Sequence, residues 1–143
     1  MTSGIQKALQ NLNPYQKVEA ETIAWSENIK AGQNKEVGSF ITAKRNLAFT
    51  QIKSVEFGVE GAKKLTVRAG TTHNSKVEIE VRVDSQKGPL IATLKVPLTG
   101  GDNRWAMVSS EVLKTTGIHD VFFIFKGQAE TDIAFLDYWM LTK

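Results

Sequence analysis

A chain of 143 residues has the length of one ordinary domain, enough to bury a core without covalent staples. It contains no cysteine, which removes disulfide frameworks, thiolate nucleophiles and cysteine-based zinc sites together and leaves the redox compartment open. The formal charge of +3 is a small surplus of Lys and Arg over 15 acids, and the only basic doublets, Lys44-Arg45 and Lys63-Lys64, make no stripe, so no nucleic-acid partner is expected. No run approaches the roughly twenty apolar residues of a membrane helix, so no membrane partner is expected either. Met1 to Gly4 has neither the basic nor the apolar region of a signal peptide.

Residues 1–13 are rich in Gln and Asn and stop at Asn13-Pro14, which predicts a linker or N-terminal extension. From there 14–143 read as one domain. Lys17 to Ala24 alternates polar and apolar residues, the period of a half-buried strand, and Ser26 to Lys35 reads as a polar loop around Gly32. Gly38–Ala43 and Leu47–Phe57 are the next predicted strands, with Phe49 and Ile52 out of phase, which predicts a bend or bulge between them. Lys64 to Ala69 alternates up to Gly70. Val77, Ile79, Val81 and Val83 face one way while Glu78, Glu80 and Arg82 face the other.

Leu90 to Leu98 leads into a loop, Thr99-Gly100-Gly101-Asp102-Asn103-Arg104, and a strand resumes over Trp105–Val112. Loops of this kind, hung on a rigid sheet, are where such domains keep their sites. His119–Lys126 and Asp132–Leu141 are almost continuously apolar and predict central strands covered on both faces. About nine strands with turns between them and no amphipathic helix predict an all-β, antiparallel β-sandwich of the jelly-roll kind.

The two histidines, His73 and His119, stand in no triad or metal-spaced pair, so catalysis is not expected. Glu19 and Glu21 project from one face of a strand roughly 6 to 7 Å apart. Such a pair either lines a wet face or shares an oxygen-seeking cation. Asp137, isolated in an apolar run, requires a cation, a salt bridge or a set of amides to meet it, and it would join the two glutamates if the first and last strands pair. Trp25, just past the first strand, suits packing or an interface with a neighbour.

The stretch Asn13-Pro14-Tyr15-Gln16-Lys17-Val18-Glu19-Ala20-Glu21-Thr22-Ile23-Ala24-Trp25-Ser26 closely resembles the start of family 6 carbohydrate-binding modules, in particular those attached to family 43 glycoside hydrolases. The resemblance continues through Val55-Glu56-Phe57-Gly58, Val77 to Ser85, Gly88 to Leu94, Thr99-Gly100-Gly101, Thr116 to Val121 and Asp137-Tyr138-Trp139. It implies a non-catalytic jelly roll that binds plant cell-wall hemicellulose of the xylan or arabinoxylan type. It also implies a monomeric module covalently linked to a glycoside hydrolase in a secreted protein, extracellular, periplasmic or at the cell surface. By matching position, Glu19, Glu21 and Asp137 would hold a structural calcium.

In that family the sugar is sandwiched between two aromatic rings at the loop end of the sandwich, beside an asparagine. The positions that resemblance assigns to this cleft are Phe40, Asp102, Asn103 and Phe135. Asp102 stands where a tryptophan is expected, Phe135 where the asparagine is expected, and Trp105 matches a packing residue at the head of its strand. These departures imply a cleft that is weakened or lost. Binding would then pass to a rebuilt loop cleft or to the face of a sheet, where the family has a second site. The alternative is a degenerate module acting as a structural appendage packed against the hydrolase.

Overall fold

The computed structural model describes residues 11–73, 76–101, 104–128 and 131–143. Among the described residues there are eleven strands: β1 (Val18–Glu19), β2 (Trp25–Glu27), β3 (Ile29–Asn34), β4 (Gly38–Ala43), β5 (Ala48–Glu56), β6 (Lys64–Gly70), β7 (Val77–Val83), β8 (Leu90–Val96), β9 (Ala106–Glu111), β10 (Ile118–Lys126) and β11 (Ala134–Thr142). They form two antiparallel sheets. The six-stranded sheet runs β3-β4-β11-β6-β9, with β1 also paired to β11, and the five-stranded sheet runs β2-β5-β10-β7-β8. The fold is the β-sandwich jelly roll that the strand pattern predicts.

The inner faces meet through one core. Alternate residues of β7 (Val77, Ile79, Val81, Val83) and β6 (Leu65, Val67, Ala69) point into it, and Phe123 of β10 meets Trp139 of β11 across the sheets with ring centroids 5.3 Å apart. Each such ring buried adds roughly 2 to 3 kcal/mol, so the two central strands anchor the sandwich.

Three expectations are corrected. Lys17–Ala24 is not one strand. The Thr22 amide donates to the Glu19 carbonyl (2.9 Å), turning the chain after β1, and the Ala24 amide then donates to Gln51 (2.8 Å) in the other sheet. The alternation belongs to two short pieces that serve different sheets.

Ser26–Lys35 is not a loop but most of β2 and β3. Both are edge strands, and such strands carry polar residues on their open sides. No bend separates Phe49 from Ile52 either, because the two face opposite sides of a straight strand. Ile52 enters the core and Phe49 joins Phe122 and Ile124 in a second cluster on the outer face. The bulge lies just past Ile52 in β5, where Lys53 and Ser54 stand against the single residue Asp120 of β10; Ser54 has a φ of 56° and its amide donates to the Asp120 carboxylate at 3.1 Å.

Candidate functional site

Among the described residues, three places on the sandwich bear on the candidate site. The first is the corner where β1 meets β11. Glu19 lies opposite Tyr138, the Ala20 amide donates to the Asp137 carbonyl (2.9 Å), and β11 slips register against β6 between Leu136 and Tyr138. That bulge puts the Asp137 side chain inside the corner, 1% exposed. Its Oδ2 accepts a long hydrogen bond from Arg68 Nη1 (3.5 Å), while its buried Oδ1 finds no partner among the described residues.

Burial pushes the Asp137 carboxyl above its usual range, Glu19 and more weakly Glu21 add to the rise, and Arg68 and Lys17 oppose it. Lys17 also pairs with Glu19 at 3.5 Å. The three acids thus share one electrostatic neighbourhood short of positive charge, built of hard carboxylate oxygens with one buried oxygen unanswered, and this fits a calcium ion. Their side chains do not yet form a closed ligand set: among the described residues no three acidic or imidazole groups stand at metal-binding distance.

The second place is the loop end of the six-stranded sheet. Phe40 of β4, Phe135 of β11 and Trp105, just before β9, share its outer face. Trp105 meets Phe40 edge-on at 5.4 Å and Phe135 edge-on at 5.8 Å. Two glycines make this possible. A side chain at Gly70 would strike the Thr99 hydroxyl and, at 3.1 Å, the Arg104 carbonyl, and one at Gly32 would strike the Phe40 ring at 2.8 Å.

Phe40 and Phe135 are only 4% and 5% exposed, so their rings are spent on Trp105 and offer little open face. Trp105 itself is half-buried. Asp102 and Asn103, the other two residues assigned to the cleft, lie outside the described residues.

The third place is the outer face of the five-stranded sheet. Trp25 pairs with Gln51, which pairs with Phe122, which pairs with Arg82, and directly opposed residues share a face. The buried Phe49, Phe122 and Ile124 line this face while Trp25 remains 59% exposed. Beside them a groove of about 250 Å³ opens over Ile124 and Leu47, edged by Glu80, Arg82, Lys87 and Lys126. Burial alone would raise the Glu80 carboxyl, but hydrogen bonds from Lys126 and Arg82 outweigh it and hold the group below the usual glutamate range. Sequence reading missed this groove, because Glu80 and Lys126 are brought together only by the β7–β10 register.

The histidines are structural. His73 Nε2 donates to the Thr131 carbonyl at 3.0 Å. His119 Nδ1 faces Asp84 Oδ1 at 2.7 Å and its Nε2 faces the Thr116 carbonyl at 2.8 Å, two acceptors that a protonated ring satisfies together. The Asp84 hydrogen bond accordingly raises its pKa, against a smaller effect of burial.

Comparison with known proteins agrees with this architecture. The model of carbohydrate binding module family 6 matches residues 19–143. Arabinoxylan arabinofuranohydrolases of Bacillus subtilis (strain 168) and Paenibacillus polymyxa are 36% and 38% identical over 94% of this chain, which spans only 27% and 22% of their lengths. Their catalytic domains lie outside the matched region. A crystal structure of a family 6 module from Clostridium cellulolyticum in complex with xylose superposes with a TM-score of 0.85 at 28% identity, covering 92% of this chain and 100% of that one. With a match across all but its first residues, the chain belongs to the family 6 carbohydrate-binding modules, a family of non-catalytic binding modules.

Proposed function

We propose that this chain is a non-catalytic module that binds hemicellulose of the xylan or arabinoxylan type, chiefly on the outer face of its five-stranded sheet. The observation that carries this reading is the contrast in exposure between Trp25 and the loop-end rings. A pyranose stacks on an open aromatic face, and at the loop end Phe40 and Phe135 are closed over Trp105. Any contribution of the loop end would come from the open part of Trp105, held in place by Phe40 and Phe135, and from Asp102 and Asn103 as hydrogen-bond partners.

The supporting comparisons are the xylose complex of a related module and the two arabinoxylan-acting relatives. The same comparisons favour a module linked to a glycoside hydrolase, and a polysaccharide too large to enter a cell puts the work of both outside it. When calcium is bound, Glu19, Glu21 and Asp137 would hold it, and its charge would answer the buried Oδ1 and fasten β1 to β11.

Isothermal titration and affinity electrophoresis with xylan, arabinoxylan and β-glucans test the reading. Binding that falls about tenfold in Trp25→Ala supports it. Silence of the parent protein across the panel overturns sugar binding. An unchanged affinity in Trp25→Ala moves the site away from the sheet face. The closed loop-end aromatics also favour a second reading, a degenerate module that serves only as an appendage packed against a hydrolase domain, and silence across the panel is what that reading requires.

A further inference from the structure

We infer that the groove beside Ile124 is an acidic-sugar subsite, built to take the carboxylate of a uronate side group carried by a hemicellulose chain. This rests on the reading that the polymer lies along the outer face of the five-stranded sheet. The observation behind it is where the charge sits. Three cations, Arg82, Lys87 and Lys126, line the groove against one carboxylate, Glu80. That surplus of two falls in one small hollow of a chain whose whole surplus is +3.

Glu80 does not cancel the site; it arranges it. Its Oε1 accepts from Arg82 Nε (3.3 Å) and Nη2 (3.2 Å), and its Oε2 accepts from Lys126 Nζ (3.0 Å). Arg82 Nη1 is fixed in turn by the Gly88 carbonyl at 2.8 Å. A guanidinium has five N–H donors and an ammonium three, so two remain on Arg82 and two on Lys126 after these bonds, on groups whose positions are already set. Prior fixing lowers the ordering cost that a flexible surface lysine would carry on binding.

Glu78 of the same face lies directly opposite Lys126 in the β7–β10 register and pairs with Lys76 at 3.7 Å. The floor suits a sugar as well as its charge. The exposed Leu47, beside the buried Ile124, gives apolar surface for a pyranose, and Arg82 stands in line with Phe122, Gln51 and Trp25 across three strand spacings, about 14 Å. A chain stacked on Trp25 can therefore reach the groove with a side group. A neutral polymer would use the row and leave the cations unanswered.

The test compares xylan bearing glucuronate groups with the same xylan after chemical reduction of its carboxyls, by isothermal titration, with polyglutamate as a competitor. The expected result is an affinity about tenfold higher for the native polymer, weakening with added salt, with the ratio falling to about one in a Lys87→Met, Lys126→Met double variant whose melting temperature is unchanged. Trp25→Ala should weaken both polymers together and leave the ratio as it was.

Equal binding of native and reduced xylan by the parent protein overturns the subsite while leaving polysaccharide binding intact. Displacement of the polymer by polyglutamate as readily as by free glucuronoxylan also overturns it, since the groove would then answer to charge alone. Binding of neither xylan overturns the subsite and the sheet-face reading together.

Discussion

The outer faces of the two sheets both carry aromatic residues, and they use them in opposite ways. On the six-stranded sheet, Phe40, Trp105 and Phe135 meet edge to face and close over the chain at Gly32 and Gly70. On the five-stranded sheet, Phe49, Phe122 and Ile124 make the floor and Trp25 is left standing at the edge. An aromatic ring is a sugar platform only while no other ring claims its face. What separates the two surfaces is therefore the tryptophan, half-buried against Phe40 and Phe135 on one sheet and 59% exposed on the other, since the phenylalanines of both faces are buried and Phe49 and Phe122 also meet, at 6.1 Å.

The largest expected effect follows from that closure. Truncating Phe135 to Ala should cost about 3 to 5 kcal/mol of stability by leaving a void under Trp105, a loss that can prevent folding outright. The milder Phe135→Leu should cost about 1 kcal/mol, read by chemical denaturation, with xylan affinity unchanged. A fall in affinity greater than the fall in stability would restore the loop end as the principal site.

Calcium comes next. At free calcium a hundred times its dissociation constant, a metal that binds only the folded state stabilises it by about 2.7 kcal/mol, so a chelator should lower the melting temperature by several degrees. Asp137→Asn should abolish that response, and an unaltered melting curve with chelator would remove calcium from the corner.

Trp25→Ala is expected to invert the Phe135 pattern. An open tryptophan face buries about 50 to 80 Å² against a sugar, roughly 1 to 2 kcal/mol of binding, while stability should move by less than about 0.5 kcal/mol. Finding the two losses coupled would mean that Trp25 packs in solution.

The smallest effect belongs to His119. Its folded-state pKa is raised above about 6.5 by Asp84, so the stabilisation it brings is complete below the unfolded value and is lost as pH rises through the higher folded value. Asp84 is more than half exposed, and solvent screening keeps the contribution below about 1 kcal/mol. Asp84→Asn should flatten this part of the stability profile near neutrality, and a profile identical to the parent's would show the pair to be idle.

Strands with one wet and one buried face were legible from sequence. Val77–Val83 alternates without interruption, and β7 has those same bounds. β3 was not legible, because an edge strand with Lys30, Gly32 and Gln33 looks like a loop until its partner β4 is known. The turn after Glu19 that sends the chain to the other sheet left no mark in the alternation either.

The acids were legible for a physical reason: a lone carboxylate in an apolar run demands a partner, and pairing of β1 with β11 supplies the neighbourhood. The fate of Phe40 and Phe135 was hidden, since position shows that a ring is present and not whether another covers it. The cationic groove was hidden more deeply. Glu80 and Lys126 are 46 residues apart, and only the strand register joins them.

The pairing of β1 with β11 also bears on how the domain answers to load. The Leu141 amide donates to the Pro14 carbonyl, and Val18 and Glu19 lie opposite Trp139 and Tyr138, so the chain entering β1 runs beside the chain leaving β11, while Leu12 further upstream is tied by two backbone hydrogen bonds to β5 of the other sheet. Tension between the ends loads that Leu12 bridge first and then peels β1 away one hydrogen bond at a time, the low-force direction for an antiparallel pair. The peel travels straight to Glu19 and Asp137. A cation held there would act as a mechanical stop, and the unfolding rate under force is where chelation would show first.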